Sequence, residues 1–235
     1  MKSGNWKSGL LNSLNSPLPF VTTVLGATPE PWQIPALELI GKHDRVAIRS
    51  GHGVGKTTFI AWVALWFFLT RVPSRVPILA NSKDQLRDAT WAELKRWARR
   101  LPEEMQDQIN IGEQRITFID PKTDGFIAGR VGNKETPEAL QGFHSEHMLF
   151  VLEEASGIPD AVFEVAQGAL SSEGAKVLMV SNPTRLSGYF WDAFHRSGVI
   201  ERWAKVHVNA EDVPRAQGHI KDIIARFGRD SNTYR

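Results

Sequence analysis

The chain has 235 residues, of which 42% are hydrophobic and 23% charged, and its formal net charge is +2. These proportions are ordinary for a folded globular protein, and the length supports one large domain or two small ones. The chain has no cysteine, which excludes disulfides, thiolate metal sites and cysteine nucleophiles. Its longest apolar run, Phe59–Leu69, is about half as long as a membrane-spanning helix needs to be. We therefore expect no membrane partner, and we expect any contact with a polyanion to come from a local basic patch.

Residues 1–30 are predicted to form an N-terminal arm, because Asn, Ser, Gly and Pro are frequent there. From residue 31 onward, short apolar runs alternate with helical stretches, which is the pattern of a parallel sheet covered by helices. Strands are predicted at Arg45–Arg49, Val76–Ala80, Met148–Leu152, Lys176–Ser181 and Ala204–Val208, with a hairpin at Arg115–Ile119 and Gly125–Arg130. Helices are predicted at Lys56–Thr70, Lys83–Arg100, Asp160–Leu170, Gly188–Arg196 and Gln217–Phe227.

The strongest motif is Ser50–Thr57, with the sequence SGHGVGKT. Between a predicted strand and a predicted helix, its glycines can turn backbone N–H groups toward an anion at the positive end of the helix dipole. Lys56 fits a cation that reaches the β- and γ-phosphates of a nucleotide, and Thr57 fits a ligand of Mg²⁺. Ser50 stands where this phosphate-loop pattern expects its first glycine. The residues predicted to bind the nucleotide here are Ser50, Gly51, His52, Gly53, Val54, Gly55, Lys56, Thr57 and Thr58.

Two neighbouring carboxylates, Glu153 and Glu154, follow the strand predicted at Met148–Leu152. NTPases that hydrolyse their nucleotide place one acidic residue at such a strand end to hold Mg²⁺, and a second to orient and deprotonate the attacking water. We assign Glu153 to the metal and Glu154 to the water. The first position is usually Asp, so Glu153 is a departure that adds one methylene group.

Ser181 and Asn182 close the next predicted strand, Lys176–Ser181. Ligands of open α/β sheets lie beyond the carboxyl ends of the strands, so these residues are expected near the acidic pair. A small hydroxyl and an amide there fit groups that sense the γ-phosphate and couple hydrolysis to a neighbouring element.

Basic residues cluster near the end of the helix predicted at Lys83–Arg100. Either they form a solvated face favoured by the helix dipole, or they contact DNA, and the sequence leaves both interpretations open. The residues are Lys95, Arg96, Arg99 and Arg100.

Taken together, these stretches resemble the ATPase domain of the large terminase subunit of tailed bacteriophages. The matching stretches span most of residues 20–235. They are Pro31-Trp32-Gln33, Arg49–Thr57, Asp84-Gln85-Leu86 leading to Trp91, Pro137–His147, Leu149–Pro159, and Glu164–Arg185 continuing to Ser187-Gly188-Tyr189.

The resemblance implies an α/β fold of the RecA-like P-loop NTPase class (ASCE type), with a mostly parallel central sheet flanked by helices. Residues 31–235 would then form one P-loop ATPase motor domain that uses ATP and Mg²⁺. It also implies that Gln33 contacts adenine, that Lys56 and Glu154 are catalytic, and that Ser181 and Asn182 couple hydrolysis to movement.

The resemblance further implies a motor that drives double-stranded DNA into a procapsid. Its implied partners are a portal protein, a small terminase subunit and further copies of itself in a ring, with a monomer in isolation left open. The implied location is the host cytoplasm, transiently at the portal of the procapsid. The family also has a C-terminal nuclease domain, which we do not expect within these 235 residues.

No residue is a certain match for the family's arginine finger, because Gln141 stands where some relatives carry an arginine. Arg49 is a candidate in cis, and Arg185 lies beyond the coupling strand. We predict Arg130 as the catalytic finger in trans, since it leads into residues 132–142, whose composition suggests an exposed loop.

Two alternative functions remain open from the sequence. One is a helicase-like DNA translocase, although most of those enzymes carry a second motor lobe in the same chain. The other is a nucleotide-binding assembly module with little turnover, for which Glu153 in place of Asp would be the reason.

Overall fold

A computed structural model of the protein describes residues 15–132, 143, 145–169 and 174–231, with residues 165–169 described by their backbone alone. Within those residues, eight strands form a single sheet. The strands are β1 Arg45–Ser50, β2 Ser74–Ala80, β3 Ile109–Ile111, β4 Arg115–Phe118, β5 Gly125–Val131, β6 His147–Glu153, β7 Lys176–Ser181 and β8 Ala204–Val208.

Helices precede and follow these strands and separate most of them, whereas β3, β4 and β5 follow one another directly. The α-helices are α1 Pro17–Pro19, α2 Gln33–Lys42, α3 Lys56–Thr70, α4 Ala92–Ala98, α5 Glu103–Gln106, α6 Asp160–Ala169, α7 Tyr189–His195 and α8 Gln217–Phe227. Two π-helical segments, Phe20–Val24 and Gln85–Trp91, follow α1 and precede α4. Short 3-10 turns lie at Ala155–Gly157, Ile200–Arg202, Ala210–Asp212 and Pro214–Ala216.

The strand order is β3-β4-β5-β2-β6-β7-β1-β8. Neighbouring strands along the series β5-β2-β6-β7-β1-β8 pair in parallel, while β4 pairs antiparallel with both β3 and β5. The position of β7 matters most for function, because it separates β1, which leads into the phosphate loop, from β6, which ends in the acidic pair. The residues that follow β7 are therefore placed between those two groups.

Successive residues of the central strands face two different cores, as expected for strands buried on both sides. Leu149 and Val151 of β6 belong to the core that contains α3, whereas Phe150 belongs to the opposite core, which contains residues of α6 and α7. Nearly every side chain of α3 is buried, which explains why this helix has no polar face. The result is a sheet between two helical layers.

The predicted strands and the predicted hairpin are confirmed, and β3 is an additional short strand on the free side of β4. Helix α2 was not predicted, although Ala36, Leu37 and Ile40 form its buried face. The helix predicted over Lys83–Arg100 exists, but its first part is the π-helical segment.

The N-terminal segment contributes to the main core from residue 17 onward. Phe20 and Val21 are fully buried in the same core cluster as α3, so these few apolar residues pack on the domain rather than forming a core of their own. Residues 1–14 of the predicted arm lie outside the described residues, as do Leu170 at the predicted end of α6 and the last residues 232–235. The domain boundary at residue 30 stays a prediction.

Candidate nucleotide-binding site

The phosphate loop connects β1 to α3. Gly53 and Gly55 both have positive φ angles, 73° and 92°, a region that side chains with a Cβ rarely adopt. Helix α3 begins at Lys56, so its unpaired N–H groups and the positive end of its dipole face the loop. The strand, glycine-rich loop and helix have the order that binding of a phosphate requires.

Residues at the start of α2 hold the loop from outside. The indole N–H of Trp32 donates to the carbonyl of Val54 at 2.9 Å, and Nε2 of Gln33 donates to the carbonyl of Gly55 at 3.1 Å. Oε1 of Gln33 accepts from the backbone N–H of Glu30 at 2.8 Å, so both ends of this buried amide are engaged. The structure thus assigns Gln33 a contact with the loop, and its contact with adenine stays a prediction.

The Lys56 side chain lies within the loop. Its ammonium group donates to the carbonyl of Gly51 at 2.9 Å and to Oδ1 of Asn182, and it lies 4.0 Å from Oε1 of Glu154. Burial lowers the pKa of Lys56, and the negative charges of Glu154 and Glu153 oppose that effect. The ammonium group is therefore directed into the loop, where its charge can pair with a phosphate oxygen.

The carboxylate of Glu153 is buried between two hydroxyl groups. Thr57 donates to its Oε1 at 3.4 Å, and Thr90, at the end of the π-helical segment, donates to its Oε2. Burial raises the pKa of Glu153, and the hydrogen bonds from Thr90 and Thr57 act in the opposite direction. Mg²⁺ prefers oxygen ligands and keeps several waters, so Thr57 and Glu153 fit it. The described residues contain no cluster of three acidic or histidine side chains that would hold a metal without the nucleotide.

Glu154 has an unusual backbone conformation. Its φ of 50° and ψ of 43° lie in the left-handed region, and among the described residues it alone has a positive φ without being glycine. Its Oε2 accepts a hydrogen bond from Ser181 at 3.4 Å. Non-glycine residues in this region are concentrated at functional sites.

The residues at the end of β7 connect the acidic pair to the loop. Oγ of Ser181 accepts from the backbone N–H of Ser156 at 3.1 Å, in addition to its contact with Glu154. The amide group of Asn182 accepts from Lys56 with its oxygen and donates to Nε2 of His52 at 2.6 Å with its nitrogen. Ser181 and Asn182 therefore contact both halves of the site, as their position at the end of β7 predicts.

Two of the predicted site residues have their side chains engaged elsewhere. The hydroxyl of Thr58 donates to Oε1 of Glu93 at 2.6 Å, so a phosphate contact by Thr58 would have to come from its backbone N–H. Arg130 donates to the carbonyl of Gly129 at 2.9 Å and lies 5.6 Å from the ring of Phe143. The structure does not bring Arg130 into the group around Lys56, and its role in trans stays a prediction.

No contact among the described residues joins the side chains of the other arginine candidates to that group. NH1 of Arg49 is 3.5 Å from Nε2 of His195, and its guanidinium group lies 5.0 Å from the ring of Phe194 on α7. The backbone N–H of Arg185 donates to Oγ of Ser156 at 3.1 Å. Residues 133–142, including Gln141, lie outside the described residues.

The basic cluster predicted on the helix is divided by the fold. Arg96 pairs with Glu93, and Arg100 lies 4.4 Å from the ring of Trp97. Lys95 and Arg99 instead line a cavity of about 810 Å³. The other basic residues that line this cavity are Lys83, Arg87 and Arg130. A contact with DNA there stays a prediction.

Comparison with known proteins bears on this fold and site. No protein-family model matches the chain. The chain is similar to the "Probable terminase, large subunit" of Enterobacteria phage P7, with 30% identity over 224 residues. The match covers 90% of this chain and 45% of that protein, so the chain spans about half the length of the curated relative it matches.

Solved structures with a similar fold are also those of large terminases. The ATPase domain of the Thermus phage P74-26 large terminase has a TM-score of 0.68 and 20% identity, over 89% of this chain and 93% of that one. The large terminase of a thermophilic bacteriophage in complex with ADP has a TM-score of 0.64 and 17% identity, over 87% of this chain and 51% of that one.

The chain is similar to the phage large terminase subunits. The resemblance to large terminase subunits is therefore confirmed, and the α/β fold is RecA-like, as predicted. No helix among the described residues is both long and apolar enough to cross a membrane.

Within this fold, sequence reasoning missed several residues that contact the site, among them Trp32, Asn81 and Thr90. Asn81 follows β2 directly, so the rule that polar residues at carboxyl ends of strands face the ligand would have found it. Thr90 had no such signal, because its contact with Glu153 depends on the path of the π-helical segment. Trp32 lies in the matching stretch around Gln33, but its hydrogen bond to Val54 follows only from the folded loop.

Proposed function

We propose that this chain is the ATP-hydrolysing motor domain of a DNA-packaging terminase, with ATP and Mg²⁺ as its nucleotide and metal. The observation that carries the proposal is the convergence of Lys56, Thr57, Glu153 and Glu154 at one edge of the sheet. A cation for phosphate, oxygen ligands for a metal and a separate carboxylate for water are what phosphoryl transfer needs. The ADP complex of a related large terminase adds support.

Lys56 is the residue that would bind the phosphates. Its ammonium group donates to Gly51 and Asn182. We expect phosphate oxygens to replace these acceptors, because they carry full negative charge in a site where burial already disfavours an isolated cation. The backbone N–H groups of the loop and of the first turn of α3 would hold the remaining oxygens.

The two carboxylates would have different tasks. Glu153, with Thr57, would hold Mg²⁺, which when bound neutralises charge on the β- and γ-phosphates. Glu154 would accept a proton from the attacking water, for which its partly exposed carboxylate is better suited than the buried one of Glu153. Ser181, which donates to Glu154, would keep that carboxylate oriented.

Coupling would pass through Ser181 and Asn182, because they contact both the phosphate loop and the acidic pair. In the complete motor, we propose, the movement that hydrolysis causes through these two residues drives double-stranded DNA into a procapsid. The relationship to large terminases suggests that the assembly is a ring of subunits on a portal protein in the host cytoplasm. A small terminase subunit would be a further partner. Arg130 is the finger that a neighbouring subunit would supply.

A steady-state ATPase assay tests this proposal. Turnover is measured with and without double-stranded DNA and at protein concentrations where subunits assemble, for the wild type and for Lys56→Ala. Hydrolysis that needs Lys56 and rises with DNA and assembly supports the motor. Tight nucleotide binding with no turnover under any of these conditions would favour the assembly module, and the motor proposal would be abandoned.

A further inference from the structure

The left-handed conformation of Glu154 determines where its carboxylate points. In a continuing strand, Glu153 and Glu154 would project from opposite faces of the sheet. The turn at Glu154 ends that alternation, and its carboxylate reaches Lys56 at 4.0 Å and Ser181 at 3.4 Å. Both carboxylates therefore face the phosphate loop, and this depends on one backbone conformation.

The carbonyl of Glu154 is held by two donors. Nδ2 of Asn81, just after β2, donates to it at 3.1 Å, and the backbone N–H of Gly157 donates to it at 2.9 Å. The second bond closes the 3-10 turn Ala155–Gly157, whereas the first comes from a different strand. Asn81 thus connects β2 to the residue that leaves β6.

Gly157 makes room for this contact. A Cβ atom at position 157 would overlap the side-chain amide of Asn81. Gly157 does not have a positive φ, so the backbone conformation does not require glycine there. Glycine is required because a side chain would not fit beside Asn81. The turn is therefore shaped around the amide group of Asn81.

We infer that Asn81 is a positioning residue for hydrolysis: it fixes the left-handed turn at Glu154 through the carbonyl of that residue. This inference rests on the proposed role of Glu154 toward the attacking water. Asn81 contacts neither the phosphate loop nor Lys56 among the described residues, so its effect should fall on the chemical step and leave nucleotide binding unchanged.

The test compares Asn81→Asp and Asn81→Ala with wild type. Asn81→Asp keeps the size of the side chain but places an oxygen opposite the Glu154 carbonyl, so the hydrogen bond becomes a repulsion. Asn110→Asp, on the exposed position of the edge strand β3, makes the same chemical change at a remote place and is the matched control. The readouts are kcat and KM for ATP, binding of ATPγS with Mg²⁺, and thermal unfolding.

We expect kcat to fall about 10- to 100-fold in Asn81→Asp, the scale of a small misplacement of a reacting group. KM, ATPγS binding and the unfolding temperature should stay within about twofold or a few degrees of wild type, as in Asn110→Asp. An Asn81→Asp protein with wild-type kcat would overturn the inference. A fall in ATPγS binding equal to the fall in kcat would also overturn it, because Asn81 would then act on binding.

A double-mutant cycle with Gly157→Ala adds an independent test. If the overlap expels the amide of Asn81, Gly157→Ala should lower kcat in the wild-type background and have little further effect beside Asn81→Ala. Additive losses would mean that the two positions act separately, and the inference would fail.

The variant Glu154→Gln distinguishes a failure of the inference about Asn81 from a failure of the proposed function. If Glu154→Gln abolishes turnover while the Asn81 variants are normal, only the positioning role is wrong. If Glu154→Gln is as active as wild type, the assignment of Glu154 is wrong, and the role of Asn81 falls with it.

Discussion

The side-chain oxygen of Asn182 accepts a hydrogen bond from the ammonium group of Lys56. The nitrogen of the same amide donates to His52, so Asn182 connects two parts of the phosphate loop. A nucleotide that takes Lys56 as its partner would release one side of Asn182. The strand end at β7 would then respond to nucleotide binding through Lys56.

Lys56→Ala should abolish detectable ATPase activity and weaken ATP affinity while the fold stays intact. The reason is that the ammonium group is the cation that would reach the β- and γ-phosphates, and it is already directed into the loop by Gly51 and Asn182. Activity, ATP binding and circular dichroism are measured together. Lys122→Ala, on an exposed turn, is the control. Wild-type turnover in folded Lys56→Ala would remove the phosphate-loop assignment.

Glu154→Gln should bind ATP with Mg²⁺ about as well as wild type and hydrolyse it at least ~10²-fold more slowly, the usual scale for loss of a general base. The amide keeps the size of the side chain and its contact with Ser181, but it cannot take a proton from water. Single-turnover hydrolysis and nucleotide binding are the measurements. If Glu153→Gln traps bound ATP and Glu154→Gln does not, the two roles are reversed.

Thr90→Val should raise the Mg²⁺ concentration needed for half-maximal activity and move the acidic limb of the pH profile to higher pH. Burial raises the pKa of Glu153, and the hydrogen bond from Thr90 lowers it. Without that bond the pKa rises further, so the carboxylate is protonated, and lost to the metal, at a higher pH. Thr117→Val on β4 is the matched control. An unchanged pH profile would mean that Thr90 does not influence Glu153.

Glu93→Gln should lower the free energy of unfolding by about 1 kcal/mol near neutral pH, a modest value because the carboxylate is partly solvated. Burial would raise the pKa of Glu93, but hydrogen bonds from Arg96, Thr58 and Trp97 outweigh it and lower the pKa to about 2. The ionised Glu93 therefore stabilises the fold when the pH is above 4.5, the ordinary pKa of this group. This stabilisation is lost as the pH falls toward about 2. Urea unfolding at pH 7 and pH 3 should therefore show a smaller difference at pH 3. An equal difference at both would exclude an ionic contribution.

Arg130→Ala should lose activity in assembled subunits, because a supplied arginine is worth roughly 10³–10⁵ in rate. Mixing Arg130→Ala subunits, which keep Lys56, with Lys56→Ala subunits, which keep Arg130, should restore activity that neither shows alone. Arg75→Ala, whose guanidinium pairs with Asp124 at 2.7 Å, is the control. No recovery under conditions where wild-type subunits assemble would remove Arg130 from the role in trans.

Much of the fold followed from the sequence by itself. Continuous apolar runs predicted β6 and β7, since strands buried on both faces need no polar side, and the glycines before Lys56 predicted the phosphate loop. The carboxylate pair and the Ser181-Asn182 pair were recognised because polar residues after buried strands lie at one edge of a parallel sheet. The resemblance to large terminases rested on all of these local motifs taken together.

Only the tertiary structure decided which side chains meet. Lys56 and Asn182 are 126 positions apart in the chain, and Thr90 and Glu153 are 63 apart, so no local pattern relates them. The strand order brings the first pair together, since β7 lies beside β1, and the path of the π-helical segment brings the second. The left-handed turn at Glu154, a conformation that sequence favours only for glycine and a few others, exists because contacts such as the bond from Asn81 hold it.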